Sequence, residues 1–121
     1  MNDRINKAFK NAKRRGRIAL IPFLTVGYPT LDVSIDAIRA VAEAGADIIE
    51  LGVPFSDPLA EGPVIQRSSH QALSNGVTLE SCLDTAKNLR DNGIETPFIF
   101  MGYYNPFLAY GFEELCESAS A

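Results

Sequence analysis

Three short and mostly apolar runs constrain the fold of this chain more than any other feature. They are residues 18–26, 46–51 and 97–101. Strands that are buried on both faces are apolar throughout, and they are typical of parallel sheets covered by helices. Amphipathic helical patterns lie between the runs; two of them begin after the cap residues Thr30 and Thr78 and end at Gly45 and Gly93. The order, a helix followed by repeated strands and helices, predicts an α/β protein with a parallel sheet.

Two architectures fit this order: an open doubly wound sheet and part of a (β/α)8 barrel. No GxGxxG motif follows the first run, which weakens the dinucleotide-binding form of the open sheet. The chain has 121 residues, whereas a barrel of this type needs roughly 250. The last amphipathic pattern ends at Ala121, where a fourth strand is expected. We therefore expect residues 1–121 to form one domain, the N-terminal part of a longer protein with its C-terminal part absent.

The charge and the cysteines narrow the class of protein. A formal net charge of −4 argues against a general nucleic-acid binder. The N-terminus carries no apolar signal segment and no run approaches the length of a bilayer span, so we expect a cytoplasmic protein. Cys82 and Cys116 show no metal-ligand spacing and are interpreted as reduced core thiols.

The stretch D-I-I-E-L-G-V-P-F-S-D-P-L-A-E-G-P, residues 47–63, carries the chemistry-bearing residues. Glu50 lies in the second apolar run, and the strand period places it on the face opposite Ile49 and Leu51. In a barrel one of these faces is the interior, where burial raises the pKa of a carboxylic acid and suits it to proton transfer. The alternative is a structural glutamate in an ion pair or on an exposed edge.

The proline-rich loop that follows holds two further carboxylates, Asp57 and Glu61. One interpretation is that a loop carboxylate forms an acid/base pair with Glu50 at the strand ends. The alternative is that both loop carboxylates are simply solvated. The ends of the first and third runs also carry Phe23, Met101 and Tyr103. These side chains predict either an apolar pocket for an aromatic ligand or ordinary core packing. His70, the single histidine, has no partner at metal-ligand spacing, so no metal site is predicted.

Four segments resemble the tryptophan synthase alpha chain family. They are I-P-F-L-T-V-G-Y-P (21–29), A-G-A-D-I-I-E-L-G-V-P-F-S-D-P-L-A-E-G-P (44–63), I-Q-R-S-S-H-Q-A-L (65–73) and F-M-G-Y-Y-N-P (100–106). The resemblance implies part of a TIM (β/α)8 barrel that cleaves indole-3-glycerol phosphate to indole and glyceraldehyde 3-phosphate in tryptophan biosynthesis. It implies no metal or organic cofactor in this chain. It also implies a heterotetramer in which indole passes to a beta chain that carries pyridoxal phosphate.

The resemblance also assigns roles to residues. Glu50 occupies the position of the general acid/base. Glu61 occupies the position of an aspartate that accepts a hydrogen bond from the indole N–H, with a side chain one methylene longer. The substrate pocket is expected to be formed by Phe23, Met101 and Tyr103. The face that meets the beta chain is expected to include Pro54, Asp57, Asn105, Pro106 and Phe107.

Two alternatives to this function stay open at the level of sequence. One is a stand-alone indole-3-glycerol-phosphate lyase, which shares the catalytic residues but needs no beta chain. The other is a non-catalytic chain that only docks on a beta chain. The phosphate-binding loops and the mobile lid implied by the resemblance lie beyond residue 121, so we expect the 121 residues alone to show little or no turnover.

Overall fold

The computed structural model describes residues 3–121 and contains, within that range, three strands and six helices. The strands are β1 (Phe23–Thr25), β2 (Ile49–Gly52) and β3 (Phe98–Met101). The helices are α1 (Arg4–Arg14), α2 (Leu31–Glu43), α3 (Pro63–Ser74), α4 (Leu79–Asp91), α5 (Tyr104–Tyr110) and α6 (Phe112–Ser120). None of the helices in this range combines the length and the apolar character that crossing a bilayer requires.

The three strands form one parallel sheet in the order β1-β2-β3, which confirms the predicted α/β class. The pairing places Glu50 of β2 between Phe23 of β1 and Ile99 of β3. Beyond the ends of the strands, the Val53 N–H donates to the Met101 carbonyl at 2.8 Å. The strand that carries Glu50 is therefore the central one, with a hydrogen-bonded neighbour on each side.

The hydrophobic core lies between the sheet and the helices. Ile49 and Leu51 are fully buried and belong to one cluster with Ile38 of α2 and Cys82 of α4. Each fully buried side chain of this size stabilises the fold by about 1.5–3 kcal/mol. Because alternate strand residues point to opposite faces, the side chain of Glu50 lies on the face away from this core.

Two helices begin at the threonines that the sequence marks as caps. The Thr30 hydroxyl accepts a hydrogen bond from the Val33 N–H at 3.3 Å. The Thr78 hydroxyl accepts from the Ser81 N–H at 3.2 Å, and the Thr78 N–H donates to the Ser81 hydroxyl at 3.1 Å. These contacts satisfy N–H groups that have no partner within the helix, and each cap contributes about 1 kcal/mol.

The first strand is shorter than predicted, with three residues in place of the run 18–26. Pro22 has no N–H to donate to a ladder, and β1 begins directly after it. Upstream, the Leu20 N–H donates at 2.8 Å to the carboxylate of Asp47 instead of to a strand carbonyl. The side chains of Ile18 and Leu20 are exposed. Residues 18–21 are thus held to the segment before β2 by the Asp47 side chain and by the Asp47 N–H, which donates to the Leu20 carbonyl at 3.0 Å.

One helix was not predicted, and one prediction about a cysteine is wrong. After β3 ends at Met101, residues 104–110 form α5, whose first turn accepts Pro106 because a helix N–H there has no intrahelical partner anyway. Cys116, predicted as a core thiol, is exposed. Of the apolar stripe of α6, Leu115 packs against the core, and this orientation turns Cys116 outward. Cys82 is buried as predicted.

Candidate active site

Three of the predicted site residues, Phe23, Glu50 and Met101, lie on one face of the sheet, in two successive rows. Paired residues of a parallel sheet share a face, so Phe23, Glu50 and Ile99 form the first row. Gly52 and Met101 form the next row toward the strand ends. Ile49 and Leu51 face the helices, so Glu50 faces the opposite side of the sheet. Strand periodicity alone did not decide between these two orientations.

The Glu50 carboxylate has no bonding partner within residues 3–121. Its residue is half-buried. None of the hydrogen bonds and ion pairs made by side chains in the described range involves this carboxylate. A partly buried carboxylate is usually paired when its role is structural. Within residues 3–121 the structure therefore shows no partner for the ion pair that was the alternative interpretation of Glu50. A catalytic role stays the prediction for this residue.

Gly52 leaves the space that the ring of Phe23 occupies. A Cβ atom added at Gly52 would lie 2.4 Å from Cζ and 2.8 Å from Cε2 of Phe23. Carbon atoms approach favourably only to about 3.5–4.0 Å, so any side chain at this position would displace the ring. The aromatic ring therefore lies directly against the backbone of β2, in the row that follows Glu50.

The loop after β2, residues 53–62, is bound to the end of β3 by Tyr103. The ring of Phe55 stacks on the ring of Tyr103, with centroids 4.6 Å apart and an interplanar angle of 19°. The Tyr103 hydroxyl donates to the Glu61 carboxylate and accepts from the Ala60 N–H at 3.1 Å. The hydrogen bond to Glu61 raises the pKa of the Tyr103 phenol, because ionisation would break it.

Gln66 of α3 binds the same loop from the opposite side. Its Nε2 donates to the Pro58 carbonyl at 3.2 Å and to the Glu61 carbonyl at 2.9 Å. One side-chain amide thus connects two points of the loop backbone to the first turns of a helix. The position of the Glu61 backbone is fixed by Gln66, while its carboxylate is held by Tyr103.

A small pocket lies between these groups. Its lining includes Phe23, Gly52, Phe55, Glu61, Met101 and Tyr103. Four residues that the sequence singles out therefore meet in one place, and Glu50 lies one row before them on the same face of the sheet. The pocket has a volume of about 10 Å³, which is room for about one water molecule. In this conformation it is closed to a bicyclic ring.

The residues predicted for a partner surface differ in exposure. Asp57 and Asn105 are exposed, and the Ser56 hydroxyl donates to the Asp57 carboxylate at 3.2 Å. Pro106 and Phe107 are half-buried, and Pro54 is buried. The loop after β2 also presents Leu59, whose exposure is 90%. The exposed part of this region is therefore formed mainly by the tip of the loop and the start of α5.

Asp47, at the opposite end of β2, is held in a structural ion pair. Its two carboxylate oxygens accept from Arg17 Nη1 at 2.5 Å and Nη2 at 2.8 Å, and Oδ2 also accepts from the Leu20 N–H. These hydrogen bonds, first the one from Arg17, lower the pKa of Asp47 to about 2. The two acidic residues of this run thus have different environments: Asp47 is fully paired, whereas Glu50 has no partner among residues 3–121.

Two other groups with reactive side chains do not join the site. Burial raises the pKa of the Cys82 thiol to about 12, so it stays protonated at neutral pH. His70 is exposed on α3. Among residues 3–121, no three histidine, cysteine, aspartate or glutamate side chains are grouped closely enough to hold a metal ion.

Phe55 and Gln66 are site residues that the sequence reasoning missed. Phe55 lies inside the motif E-L-G-V-P-F-S-D-P, and an aromatic residue between two prolines of a loop was a signal that could have identified it. Gln66 gives no such signal, because a polar residue near the start of a helix is ordinary. Its role depends on where α3 packs.

Comparison with known proteins places this geometry in a family. The sequence model described as tryptophan synthase alpha chain matches residues 9–121. The tryptophan synthase alpha chain of Roseiflexus sp. (strain RS-1) is 52% identical over 112 residues, which cover 93% of this chain and 43% of that protein. The tryptophan synthase of Saccharomyces cerevisiae is 46% identical over 120 residues, which cover 99% of this chain and 17% of that protein.

A solved structure agrees with the sequence relatives. Tryptophan synthase subunit alpha from Legionella pneumophila str. Paris superimposes with a TM-score of 0.93 at 38% identity, over 99% of this chain and 45% of that chain. The chain therefore spans less than half the length of these relatives. Its three βα units and N-terminal helix are the N-terminal part of a TIM (β/α)8 barrel, as predicted. The chain belongs to the tryptophan synthase alpha chain family.

Proposed function

We propose that this chain contributes the catalytic carboxylates of a lyase that cleaves indole-3-glycerol phosphate to indole and glyceraldehyde 3-phosphate. One observation carries the proposal: the Glu50 carboxylate, which has no partner in the described part of the chain, lies on the same sheet face as an apolar pocket that ends on a second carboxylate, Glu61. Membership in the family supports the substrate and the place of the reaction in tryptophan biosynthesis.

The cleavage needs two proton transfers. The bond between C3 of the indole ring and the adjacent glyceryl carbon breaks, and its electron pair is taken up with a proton at C3. The hydroxyl on the glyceryl carbon loses its proton as the C=O bond of the aldehyde forms. Glu50 moves one of these protons as general acid/base, a role that typically contributes about 10²–10⁴-fold to rate.

Glu61 and the apolar side chains hold the ring during this step. The Glu61 carboxylate accepts from the ring N–H and so stabilises the positive charge that develops on the ring when C3 is protonated. Phe23, Met101 and Tyr103 provide apolar surface for the planar bicycle. Carboxylates and apolar rings supply this chemistry without a metal ion or an organic cofactor in this chain.

The partner proposal rests on exposed apolar surface next to the site. Leu59 and Val64 are 90% and 74% exposed, and they lie on either side of Glu61 in the sequence. Exposed apolar patches rimmed by polar residues are typical of protein interfaces, and Asp57 of the same loop is exposed. We propose that this surface meets a beta chain that carries pyridoxal phosphate, in a cytoplasmic α2β2 complex.

The test of the lyase proposal is indole release by the product of the complete reading frame that encodes this chain. Glu50→Gln keeps the size of the side chain, so we expect it to fold and to lose about 100-fold or more in kcat. Glu117→Gln, on the exposed surface of α6, is the matched control and should be unchanged. Retention of more than about a tenth of the activity by Glu50→Gln would contradict the assigned role.

Two further measurements separate the alternatives. Addition of a purified beta chain should activate the lyase strongly; an activity that does not respond would favour a stand-alone lyase. The exposed side chain of Leu59 at the tip of the loop is the observation that favours a non-catalytic docking chain. Binding to a beta chain without any indole release would support this alternative. The isolated 121 residues should release little or no indole.

A further inference from the structure

The proposed function assigns the Glu61 carboxylate to the N–H of a ligand. In this structure the carboxylate already accepts a hydrogen bond from the protein itself. The Tyr103 hydroxyl donates to the Glu61 carboxylate, and the Ala60 N–H donates back to the same hydroxyl at 3.1 Å. The ring of Phe55, stacked at 4.6 Å, fixes the plane of the Tyr103 ring. Three residues of the loop after β2 therefore bind one phenol at the end of β3.

The pocket beside this contact has a volume of about 10 Å³. Glu61 and Tyr103 both line the pocket, and the hydrogen bond between them joins two of its walls. A bicyclic ring is far larger than the single water molecule for which there is room, so it enters only when the bond opens. The event that opens the pocket is thus the loss of the Tyr103 donor from Glu61.

We propose that Tyr103 competes with the ligand for Glu61 and so sets the affinity of this pocket, because only a planar aromatic ligand with its own N–H donor replaces the phenol without loss. The proposal rests on the proposed function for the identity of the ligand. A ring N–H exchanges one charge-assisted hydrogen bond for another. An isosteric ring without the N–H breaks the phenol's bond and leaves the carboxylate without a donor, which is the costly outcome.

The length of Glu61 is part of this mechanism. Shortening the side chain by one methylene withdraws the carboxylate by about 1.5 Å, which is enough to take a hydrogen bond out of range of Tyr103. The backbone would stay in place, because Gln66 holds the Glu61 carbonyl at 2.9 Å. An aspartate at this position would therefore leave the acceptor available to a ligand.

The experiment measures the affinity for indole and for 1-methylindole by isothermal titration calorimetry, on the product of the complete reading frame. Tyr103→Phe removes the hydroxyl and keeps the ring that stacks on Phe55. We expect it to bind indole and 1-methylindole each about 3- to 10-fold more tightly than the unmodified protein, because either ring must displace the phenol from Glu61. The preference for indole over 1-methylindole should persist, since it comes from the Glu61 acceptor. Tyr104→Phe, at an exposed neighbouring position, is the matched control and should leave both affinities unchanged.

A second readout follows the contact without any ligand. The hydrogen bond to Glu61 raises the pKa of the Tyr103 phenol, so Glu61→Gln should lower the pKa of one tyrosine in a titration followed by tyrosinate absorbance. The same tyrosine should be absent from the titration of Tyr103→Phe. A phenol that titrates identically with Glu61 and with Gln at position 61 would overturn the contact on which the proposal stands.

The outcomes distinguish the two proposals. Indole binding that is unchanged or weaker in Tyr103→Phe would overturn the competition and leave the lyase proposal intact. If neither protein binds indole while the tyrosine titration responds to Glu61, the ligand is wrong, and both proposals fall. Tighter binding of indole with no gain for 1-methylindole would show that 1-methylindole binds without displacing the phenol, and it would also overturn the competition.

Discussion

The strand that carries Glu50 depends on an ion pair at its far end, and replacing Asp47 by asparagine tests how much. The carboxylate accepts two hydrogen bonds from Arg17, at 2.5 and 2.8 Å, and one from the Leu20 N–H at 2.8 Å. Asp47→Asn preserves the size of the side chain and removes the charge. The perturbation therefore isolates the charge-assisted part of this junction between residues 17–20 and β2.

The magnitude follows from the pKa of the carboxyl group. Its hydrogen bonds lower the pKa of Asp47 from 3.8 to about 2, and at 1.36 kcal/mol per tenfold change in acidity this corresponds to at most about 2.4 kcal/mol. The Arg17 side chain is 39% exposed, so solvent screening reduces the contribution to about 1–1.5 kcal/mol. We expect Asp47→Asn to lower the free energy of unfolding by this amount at neutral pH.

The dependence on pH has a definite sign. Because the pKa of Asp47 is lower in the folded chain than in the unfolded chain, its contribution is complete above about pH 5. The contribution is lost as the pH falls through the folded value of about 2. Urea unfolding followed by circular dichroism, at neutral pH and near pH 2, should therefore show a difference between the two proteins that nearly disappears in acid.

A matched variant controls for the loss of a negative charge. Asp91 pairs with Lys87 at 2.8 Å on the surface of α4, where the two side chains are 60% and 71% exposed. Such a pair contributes about 0.3–0.5 kcal/mol, so Asp91→Asn should be nearly neutral. Equal losses in Asp47→Asn and Asp91→Asn, or a deficit in Asp47→Asn that persists in acid, would refute the reasoning.

Two further predictions concern the site. Glu61→Ala removes the acceptor for the ring N–H, and we expect indole release to fall by about 10- to 100-fold. Glu61→Asp keeps the charge and, with its shorter reach, should equal or exceed the unmodified protein in the same assay. Gly52→Ala places a Cβ 2.4 Å from Cζ of Phe23, so we expect about 1–3 kcal/mol less stability in urea unfolding. Displacement of the Phe23 ring should also weaken indole binding, measured by calorimetry.

Controls and contrary outcomes exist for both. A large loss of activity in Glu61→Asp would show that the loop is adapted to the longer side chain. Gly62→Ala, at a glycine whose added Cβ meets no atom within 4 Å, is the control for Gly52→Ala. Stability of Gly52→Ala equal to that control would mean that the ring of Phe23 moves aside at no cost.

The parallel sheet was predictable because its signals are local. Uniformly apolar runs mark strands that are buried on both faces, and Thr30 and Thr78 mark the helix starts that the structure confirms. The extent of β1 was not predictable in the same way. Leu20 and Ile18 have strand-like composition, but the Leu20 N–H is bound by the side chain of Asp47, which is 27 residues away in the sequence.

The site likewise combines features that the local sequence predicts with features that depend on contacts between distant residues. Periodicity places Glu50 opposite Ile49, yet only the packing of the helices decides which face is which. The contact of Tyr103 with Glu61 joins residues 42 positions apart, and no local pattern encodes it. The helix α5 was missed because Pro106 indicates a break in most contexts, whereas the first turn of a helix accepts it.

The hydrogen bonds from Gln66 to the loop determine which positions of this region can vary during evolution. Its amide binds the Pro58 and Glu61 carbonyls, so the two residues enclosed between them form a segment of fixed span. Leu59 points into solvent and Ala60 contributes its backbone N–H. Substitutions at these two positions can alter the outer surface while the carboxylate stays in place, which allows adaptation to a partner to proceed independently of the chemistry.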